Sequence, residues 1–377
     1  MKEHPIYYAG FLQCRTKRNN FCLISFPYED AFNMKKTGLL IVLLILFACN
    51  KQEKGIDISL VHFTVQSPYG DRFITHYPVA FKAVDADGND ITNAVQFTVN
   101  GQNVAGDTMV FDNPGQYTVS ARWDLGGVFK ESDNEINAQV IDPRNTTRAV
   151  VEDFTGTWCV NCPRVTYHLE QALQQNPQLI AVAIHNRGYN TDPFHFDQVG
   201  TLTAEYNITA YPTPLLNRRE IWDEDPASIE KYTRKNQPAG IRIENSLNGN
   251  QLSLRVKVRF DMDLSADTLK LVVYALENNL HADQANTTSY YGGQNPIPDF
   301  RHDHVLRYAF TDVLGDPVPP SACTFDHIYE WNYNGPLPAN ISDPSEAVFV
   351  AYLVKGNHQA HIINANKAAV NQNADYQ

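Results

Sequence analysis

The stretch VEDFTGTWCVNCP, residues 151–163, decides the fold of this chain. It overlaps an apolar run from Ala149 to Phe154, whose length is typical of a buried strand, and it ends with two cysteines separated by two residues. The segment that follows, RVTYHLEQALQQ at residues 164–175, has its apolar residues at helical spacing. The pattern therefore predicts a strand, a CxxC turn and a helix that begins at the turn.

This placement favours thiol chemistry at the two cysteines. Unpaired N–H groups and the dipole at a helix N-terminus stabilise the thiolate of Cys159, which is the form that attacks a disulfide. Cys162, one turn later, can then resolve the mixed disulfide. Half of a zinc site has the same spacing, but no second CxxC or matching His pair accompanies it. We therefore expect a redox-active pair.

Two further residues are candidates for this site. Asp153 lies six residues before Cys159 at the end of the apolar strand, where a buried carboxylate would have a raised pKa and could exchange a proton with Cys162. Pro212, in Tyr211-Pro212-Thr213, lies between a predicted helix and a predicted strand. A cis proline there would hold backbone polar groups against the cysteines.

Strands and helices alternate over residues 146–237. Besides the elements above, the pattern predicts strands at 179–184 and 214–216 and helices at 198–206 and 227–235. With its WCxxC run, the upstream aspartate and the downstream YNITAYPT, this region resembles the thioredoxin superfamily. The resemblance implies a proton relay, an attacking thiol, a resolving thiol and a cis proline at, respectively, Asp153, Cys159, Cys162 and Pro212.

Two departures from the thioredoxin pattern stand near the cysteines. Val160-Asn161 replaces the usual Gly-Pro, and extra residues from Arg187 to Phe196 precede the second helix. Because the dipeptide tunes the redox potential, the direction of electron transfer stays open.

A short apolar run near the N-terminus indicates export. GLLIVLLILFA, residues 38–48, is shorter than the roughly 20 residues that a spanning helix needs, so it is typical of a signal peptide. Leu46 to Cys49 resembles the lipobox of bacterial lipoproteins, which implies a lipid anchor on Cys49. An uncleaved anchor or an ordinary secretory signal are the alternatives. Since a signal begins a protein, we expect the true start at Met34.

Residues 1–48 are the predicted upstream segment and signal peptide, and residues 49–56 are the lipidated tether. Removal of residues 1–48 leaves few cysteines in the mature chain. Only Cys323 remains besides the lipidated residue and the CxxC pair, so this is not a multi-disulfide scaffold. We expect Cys323 to be a buried free thiol. An exported protein can keep a single CxxC pair oxidised.

Two β-rich regions flank the central one. Alternating segments at 57–143, of which 77–84 is one, are separated by turn clusters and predict short strands in an antiparallel β-sandwich of immunoglobulin-like type. Its Asp-rich stretch at 85–90 is interpreted as a hairpin turn, with a calcium loop as the alternative. Alternation at 240–377 predicts a second β-sandwich, closed by a hairpin across Gly356. The predicted fold class is thus multidomain α/β plus all-β, with a thioredoxin-like α/β domain between two β-sandwiches.

A narrower resemblance covers nearly the whole mature chain. The matching runs are 152–156, 159–163, 183–185, Pro212 with 216–218, and 301–307. They resemble the Bacteroidetes outer-membrane lipoproteins related to the twenty-eight-kilodalton outer membrane protein. The resemblance implies an outer-membrane lipoprotein, on the periplasmic or the surface-exposed face, with a thioredoxin-like centre and a β-rich C-terminal domain.

The sequence does not decide the roles of three histidines. His302 and His304 would share one face of a strand and could hold a metal, but no third ligand is in view. His185 ends a predicted strand near the cysteines, where a structural histidine and a catalytic one both fit. No metal or cofactor is predicted.

Charge and motifs together lead to two hypotheses of function. The formal net charge of −12 disfavours nucleic acid as a partner. The first hypothesis is thiol–disulfide exchange on exported proteins through Cys159 and Cys162, at a membrane reached through the lipid. The second is a non-enzymatic surface lipoprotein that binds protein or glycan through its β domains, with the cysteine pair structural. Whether the chain is an enzyme stays open, because fold alone does not decide function.

Overall fold

The computed structural model describes residues 57–188 and 192–377, which form one compact unit that is mostly β-sheet. The predicted start at Met34, the signal peptide and the lipidated Cys49 lie outside the described residues. Within the two described ranges, no helix combines the length and the apolar character that crossing a membrane requires.

Short strands build the N-terminal region, as the alternating pattern predicts. They are β1 (Phe63–Gln66), β2 (Arg72–Ile74), β3 (Val79–Ala80), β4 (Lys82–Asp85), β5 (Val95–Val99), β6 (Gln102–Asn103), β7 (Thr108–Met109), β8 (Gly115–Asp124), β9 (Phe129–Glu131) and β10 (Ile136–Ile141). The largest sheet has the order β2-β10-β8-β5-β6, with β9 beside β8, while β1 pairs with β4 and β3 with β7. Their inward side chains, Phe73 and Phe97 among them, form the core.

Two details of this region differ from the prediction. The segment 77–84 is not one strand, because Phe81 lies between β3 and β4 and its N–H donates to the carbonyl oxygen of Asp107 at 2.9 Å. The sheet is also not wholly antiparallel, since β2 runs parallel to β10. The long chain between these two strands permits a parallel return, which a tight hairpin would forbid.

The Asp-rich stretch at 85–90 folds as a turn. The carboxylate of Asp85 accepts hydrogen bonds from the backbone N–H groups of Asp87 and Asn89 at 3.0 and 2.8 Å. An aspartate that bonds its own following backbone is the usual physical basis of a polar turn. The turn is thus confirmed, but it does not join a hairpin of β4 and β5, because β4 pairs with β1 and β5 pairs with β8.

The central region contains the strand and helix that flank the CxxC turn. All seven residues of β11 (Ala149–Thr155) are buried, which explains why its sequence does not alternate. The helix Cys162–Gln175, α1, crosses over to the strand Leu179–His185, β12, which pairs with β11 in parallel. The predicted elements are confirmed, and the region comprises α1 (Cys162–Gln175), β12 (Leu179–His185), α2 (Val199–Glu205), β13 (Thr213–Leu216), β14 (Glu220–Ile221) and α3 (Pro226–Thr233).

The C-terminal region adds a further set of strands. They are β15 (Ala239–Asn248), β16 (Gln251–Phe260), β17 (Leu269–Glu277), β18 (Leu280–Gln284), β19 (Ile297–His302), β20 (Val305–Ala309), β21 (Asp316–Pro317), β22 (Ile328–Pro336), β23 (Ala347–Lys355) and β24 (His361–Ala369). Strands β15, β16 and β22 form one sheet, and buried residues of β15 and β16 share a core cluster with those of β17 and β23. The predicted closing hairpin is confirmed as β23–β24, with Gly356 at φ 118° in its turn.

The central and C-terminal regions share one sheet. The prediction instead placed residues 146–237 and 240–377 in two separate domains. Its order is β14-β13-β11-β12-β20-β17-β23-β24, with β21 beside β17. The N–H of Ala183 in β12 donates to the carbonyl oxygen of His304 at 2.8 Å. A buried strand must satisfy its backbone groups on both sides, and β20 does this for β12. The limits of three separate domains stay a prediction.

The sheet has a buried ion pair on the face opposite α1. Arg218 donates to both carboxylate oxygens of Glu152 at 2.9 and 2.8 Å and to the Tyr274 hydroxyl at 3.0 Å. The side chains of both charged residues are fully buried. This pair therefore joins β11 to β17 across the middle of the shared sheet.

Candidate functional site

The two cysteines of the CxxC turn form a disulfide at the start of α1. Their Cα atoms are 5.4 Å apart, and Cys162 is the first residue of the helix. Cys159 is 4% exposed and Cys162 is 1% exposed. The expected strand, CxxC turn and helix are confirmed, but the sulfurs lie under other residues instead of at the surface.

The loop that contains Pro212 lies beside this turn. The Tyr211–Pro212 peptide bond is cis, as the sequence predicts. The Tyr211 ring packs edge-on against Trp158, with 5.6 Å between ring centroids. Trp158 in turn donates from Nε1 to the Asn186 carbonyl oxygen at 2.7 Å. The structure thus brings the proline loop and the CxxC turn together through two aromatic rings.

Asp153 lies on the face of β11 that α1 covers. Its side chain is nearly inaccessible, at 2% exposure for the residue. Burial raises the pKa of its carboxyl to about 7, with a further increase from the charge of Glu224 and an opposing effect from Arg164. Its Oδ1 has no hydrogen-bond partner among the described residues. The carboxyl therefore changes its protonation state near neutral pH.

A histidine and an aspartate form a second buried group next to the turn. His185 Nδ1 lies 3.0 Å from a carboxylate oxygen of Asp192. Asp192 also accepts the N–H of Thr157 at 2.7 Å and that of Phe194 at 2.8 Å. Burial acts to raise the pKa of Asp192, but the bonds from His185 and the backbone lower it overall. This pair holds the CxxC loop in position, which favours the structural interpretation of His185.

Asp192 is a residue that the sequence analysis missed. It lies in the extra segment from Arg187 to Phe196, which departs from the thioredoxin pattern. An aspartate in an insertion next to a strand-end histidine was the available signal. Its contact with Thr157 depends on the path of the loop, and the sequence does not determine that path.

A segment of the C-terminal region crosses the cysteines, and we call residues 284–287 the strap. Gln284 Nε2 donates to the Cys159 carbonyl oxygen at 3.0 Å. The N–H of Ala285 donates to the Thr157 carbonyl oxygen at 2.8 Å, and the N–H of Thr287 donates to the Val160 carbonyl oxygen at 2.9 Å. The strap is thus paired with the CxxC turn like a neighbouring strand, and nothing in its sequence, QANT, predicted this.

The turn that follows the strap is fixed on α1. The buried side chain of Asn286 donates to the carbonyl oxygens of Tyr290 and Gln294 at 3.3 and 3.2 Å. The Tyr290 hydroxyl lies 2.9 Å from His168 Nε2, and its ring packs on Tyr167 at 4.8 Å between centroids. The strap is therefore anchored at its far end by the exposed side of the helix.

A cavity of ≈ 60 Å³ lies between α1, the sheet and β19. Asp153 lines it together with Leu169 of α1 and His302 of β19. His302 and His304 do not share a strand face as expected, because β19 ends at His302 and His304 has φ 60° in the turn that follows. Within residues 57–188 and 192–377, no group of three or more His, Cys, Asp or Glu side chains has the arrangement of a metal site.

Cys323 lies away from this site. It is a fully buried free thiol, as expected, and burial raises its pKa to about 11. A thiol with a pKa this high is almost wholly protonated at neutral pH and is unreactive.

A family model matches the C-terminal half of the chain. Residues 200–374 match the family described as outer membrane protein Omp28. The protein is therefore located at the outer membrane or in the cell envelope. The match begins after Cys159 and Cys162, so it does not include the disulfide. No curated protein sequence matches the chain.

The fold is similar to that of a solved structure. HBP35 of Porphyromonas gingivalis is 18% identical, with a TM-score of 0.50, over 61% of this chain and 77% of that chain. A protein described as membrane-anchored from Corynebacterium diphtheriae is 11% identical over 82% of this chain and 59% of that chain, with a TM-score of 0.19. The first likeness shows a common fold and no more.

Proposed function

We propose that the protein is an extracytoplasmic, membrane-anchored thioredoxin-like protein that exchanges disulfides with exported proteins through Cys159 and Cys162. The observation that carries this proposal is the combination at the start of α1. A disulfide lies at a helix N-terminus, an acid with a pKa of about 7 lies on the strand below, and a cis proline loop lies beside it. Perturbed groups in this arrangement are typical of reactive sites.

The exchange follows from the properties of these groups. In the reduced protein, the Cys159 thiolate attacks a substrate disulfide and releases one substrate thiolate, which takes a proton from water. The Cys162 thiol then gives its proton to the Asp153 carboxylate and attacks the sulfur of Cys159. The second substrate sulfur leaves as a thiolate and takes the proton that Asp153 received, so that it becomes a thiol. The substrate is reduced by two electrons, and the Cys159–Cys162 disulfide forms again.

The strap must move for this reaction with a protein substrate. Only a few hydrogen bonds hold it on the turn, each with a net contribution of about 1 kcal/mol. Local opening of this size is common in folded proteins. An extended substrate segment would then pair with the carbonyl groups of Thr157 and Val160 in place of the strap.

Trapping and alkylation test this proposal. Cys162→Ser should accumulate mixed disulfides with exported proteins, because no thiol remains to resolve them. In the reduced protein, Cys159 should react with iodoacetamide below about pH 7 while Cys162 stays protected. Cys323→Ser is the matched control and should change neither result. Equal and slow alkylation of both thiols, with no trapped adducts, contradicts the proposal.

A second candidate function is a surface protein that binds protein or glycan, with a structural disulfide. Two observations favour it: both cysteines are almost fully buried, and the Omp28 match does not include them. The reduction potential separates the two functions. A value below about −300 mV indicates a structural bridge, whereas known oxidoreductases lie well above it.

We also propose that the envelope location depends on a lipid on Cys49. The lipobox-like sequence supports this anchor, and the Omp28 match supports the envelope location. Cys49→Ser should release the protein from membranes, because several acyl chains contribute about 0.8 kcal/mol for each buried CH₂. Carbonate washing and fractionation measure the effect, and Cys323→Ser is the control. A Cys49→Ser protein that stays with the membrane contradicts the anchor.

A further inference from the structure

Two residues that line the same cavity each have a buried polar atom without a hydrogen-bond partner in the described part of the chain. Asp153 Oδ1 and His302 Nε2 each lack a hydrogen-bond partner among the described residues. The two residues are 2% and 7% exposed. Leaving a buried polar group unsatisfied costs about 1 to 3 kcal/mol, so two such atoms in one cavity point to something that bonds both.

The protonation of His302 decides what its Nε2 can do. Burial, with help from the neighbouring His185, lowers the pKa of His302 to about 3, so the ring is neutral. A neutral imidazole has one N–H and one unprotonated nitrogen. The ring is hydrogen-bonded to the backbone of Ala282. The unpartnered Nε2 is therefore the acceptor, and its residue lines the cavity.

Water is the ligand that fits these two atoms. A single water needs about 10 to 15 Å³ of cavity on the same measure, so ≈ 60 Å³ holds several. A water molecule can donate one hydrogen to Nε2 and the other to an ionised Asp153 carboxylate. It can also accept a hydrogen from Asp153 when that carboxyl is protonated. The bridge fits both states of the acid.

We propose that the cavity holds ordered water that joins Asp153 to His302, and that His302 thereby sets the pH at which Asp153 accepts the proton of Cys162. His302 does not touch the sulfurs and acts through Asp153 as a positioning residue. The role of His302 in proton transfer rests on the proposed disulfide exchange, whereas the water bridge itself does not depend on that function.

Several other charged groups face Asp153 and the cavity and must stay constant in a test. They come from α1, from the loop before α3, from β12, from β19 and from the β19–β20 turn: Arg164, Glu170, Glu224, His185, Arg301, Asp303 and His304. Changing His302 alone leaves these groups in place. A shift in the titration of Asp153 then reports on the bridge.

The test is a ¹³C NMR titration of the Asp153 carboxyl in the oxidised full chain. His302→Leu removes the acceptor, so the ionised carboxylate loses its bridging water, and the midpoint should rise by about one pH unit above that of the wild type. His302→Gln keeps an acceptor oxygen and should restore a midpoint close to wild type. His281→Leu, an exposed histidine on the partner strand β18, is the control and should leave the midpoint unchanged. An unchanged midpoint in His302→Leu overturns the inference.

Two more measurements keep the result decisive. A high-resolution crystal structure of the wild type should show water within hydrogen-bond distance of both Asp153 Oδ1 and His302 Nε2. A cavity without water overturns the inference. This measurement does not require that His302→Leu folds. The pH profile of mixed-disulfide resolution, followed by Trp158 fluorescence, should have the same shifted inflection. If the wild type performs no exchange at all, the proposed function fails, and the titration and the crystal structure still decide the bridge.

Discussion

Two neighbouring carboxylates on β11 have opposite environments. Glu152 and Asp153 are 0% and 2% exposed, but their side chains lie on opposite faces of the sheet. Glu152 is paired with Arg218 through two hydrogen bonds, whereas Asp153 faces the cavity and has a pKa of about 7. A paired buried carboxylate holds strands together, while an unpaired one destabilises the fold and can exchange a proton near neutral pH.

The largest effect is expected on the paired face. Arg218→Leu leaves the charge of Glu152 buried without a partner, which should lower the free energy of unfolding by about 3 to 5 kcal/mol. The double variant Glu152→Leu/Arg218→Leu removes both charges and should recover most of the loss. Urea unfolding measures both. If the double variant is as unstable as the single one, packing and not charge explains the effect.

The unpaired face should respond in the opposite direction. The folded pKa of Asp153 lies above the unfolded value of 3.8, so the folded state holds the extra proton and stability falls as pH rises from about 4 through 7. Asp153→Asn should therefore raise the free energy of unfolding at pH 8 by up to about 4 kcal/mol, with almost no change at pH 4.

Glu152→Gln is the matched control for that experiment. It weakens the pair with Arg218 and should lower stability at both pH values. Chemical unfolding at pH 4 and pH 8 gives the comparison. Equal effects of Asp153→Asn at the two pH values would mean that Asp153 does not titrate as described.

Reduction of the disulfide should have a smaller effect. The bridge closes only a short loop, with a sequence separation of 3, so reduction should lower the free energy of unfolding by about 2 kcal/mol or less. Unfolding with and without a reductant measures this, and Cys323→Ser should not alter the difference. A loss of 4 kcal/mol or more would favour a structural disulfide over a redox pair.

The smallest effect is expected at the strap. Gln284→Ala removes the side-chain bond to the Cys159 carbonyl, worth about 1 kcal/mol, so the open form should increase roughly fivefold. Alkylation of Cys159 in the reduced protein should accelerate by the same factor. Gln294→Ala, an exposed glutamine in the turn after the strap, is the control. An unchanged alkylation rate would show that the strap does not limit access.

Much of the secondary structure could be predicted from the sequence. The apolar run at 149–154, the helix after the CxxC turn and the hairpin across Gly356 all follow from local patterns, and the structure confirms them. The prediction was less accurate in the N-terminal sheets, where very short strands such as β3 and β7 pair with strands that are distant in the sequence. Local pattern has little influence on strands of two residues.

The features of the candidate site likewise fall into two groups, those that the sequence predicts and those that it does not. The sequence by itself determined the disulfide position at a helix N-terminus, the burial of Asp153 and the cis bond before Pro212, because each depends on residues that are local or follow a periodic pattern. Only the tertiary structure decided that the strap pairs with the CxxC turn and that His302 shares a cavity with Asp153. Those contacts join residues more than a hundred positions apart, and their pairing depends on how the shared sheet brings β18 and β19 over α1, which no local spacing specifies.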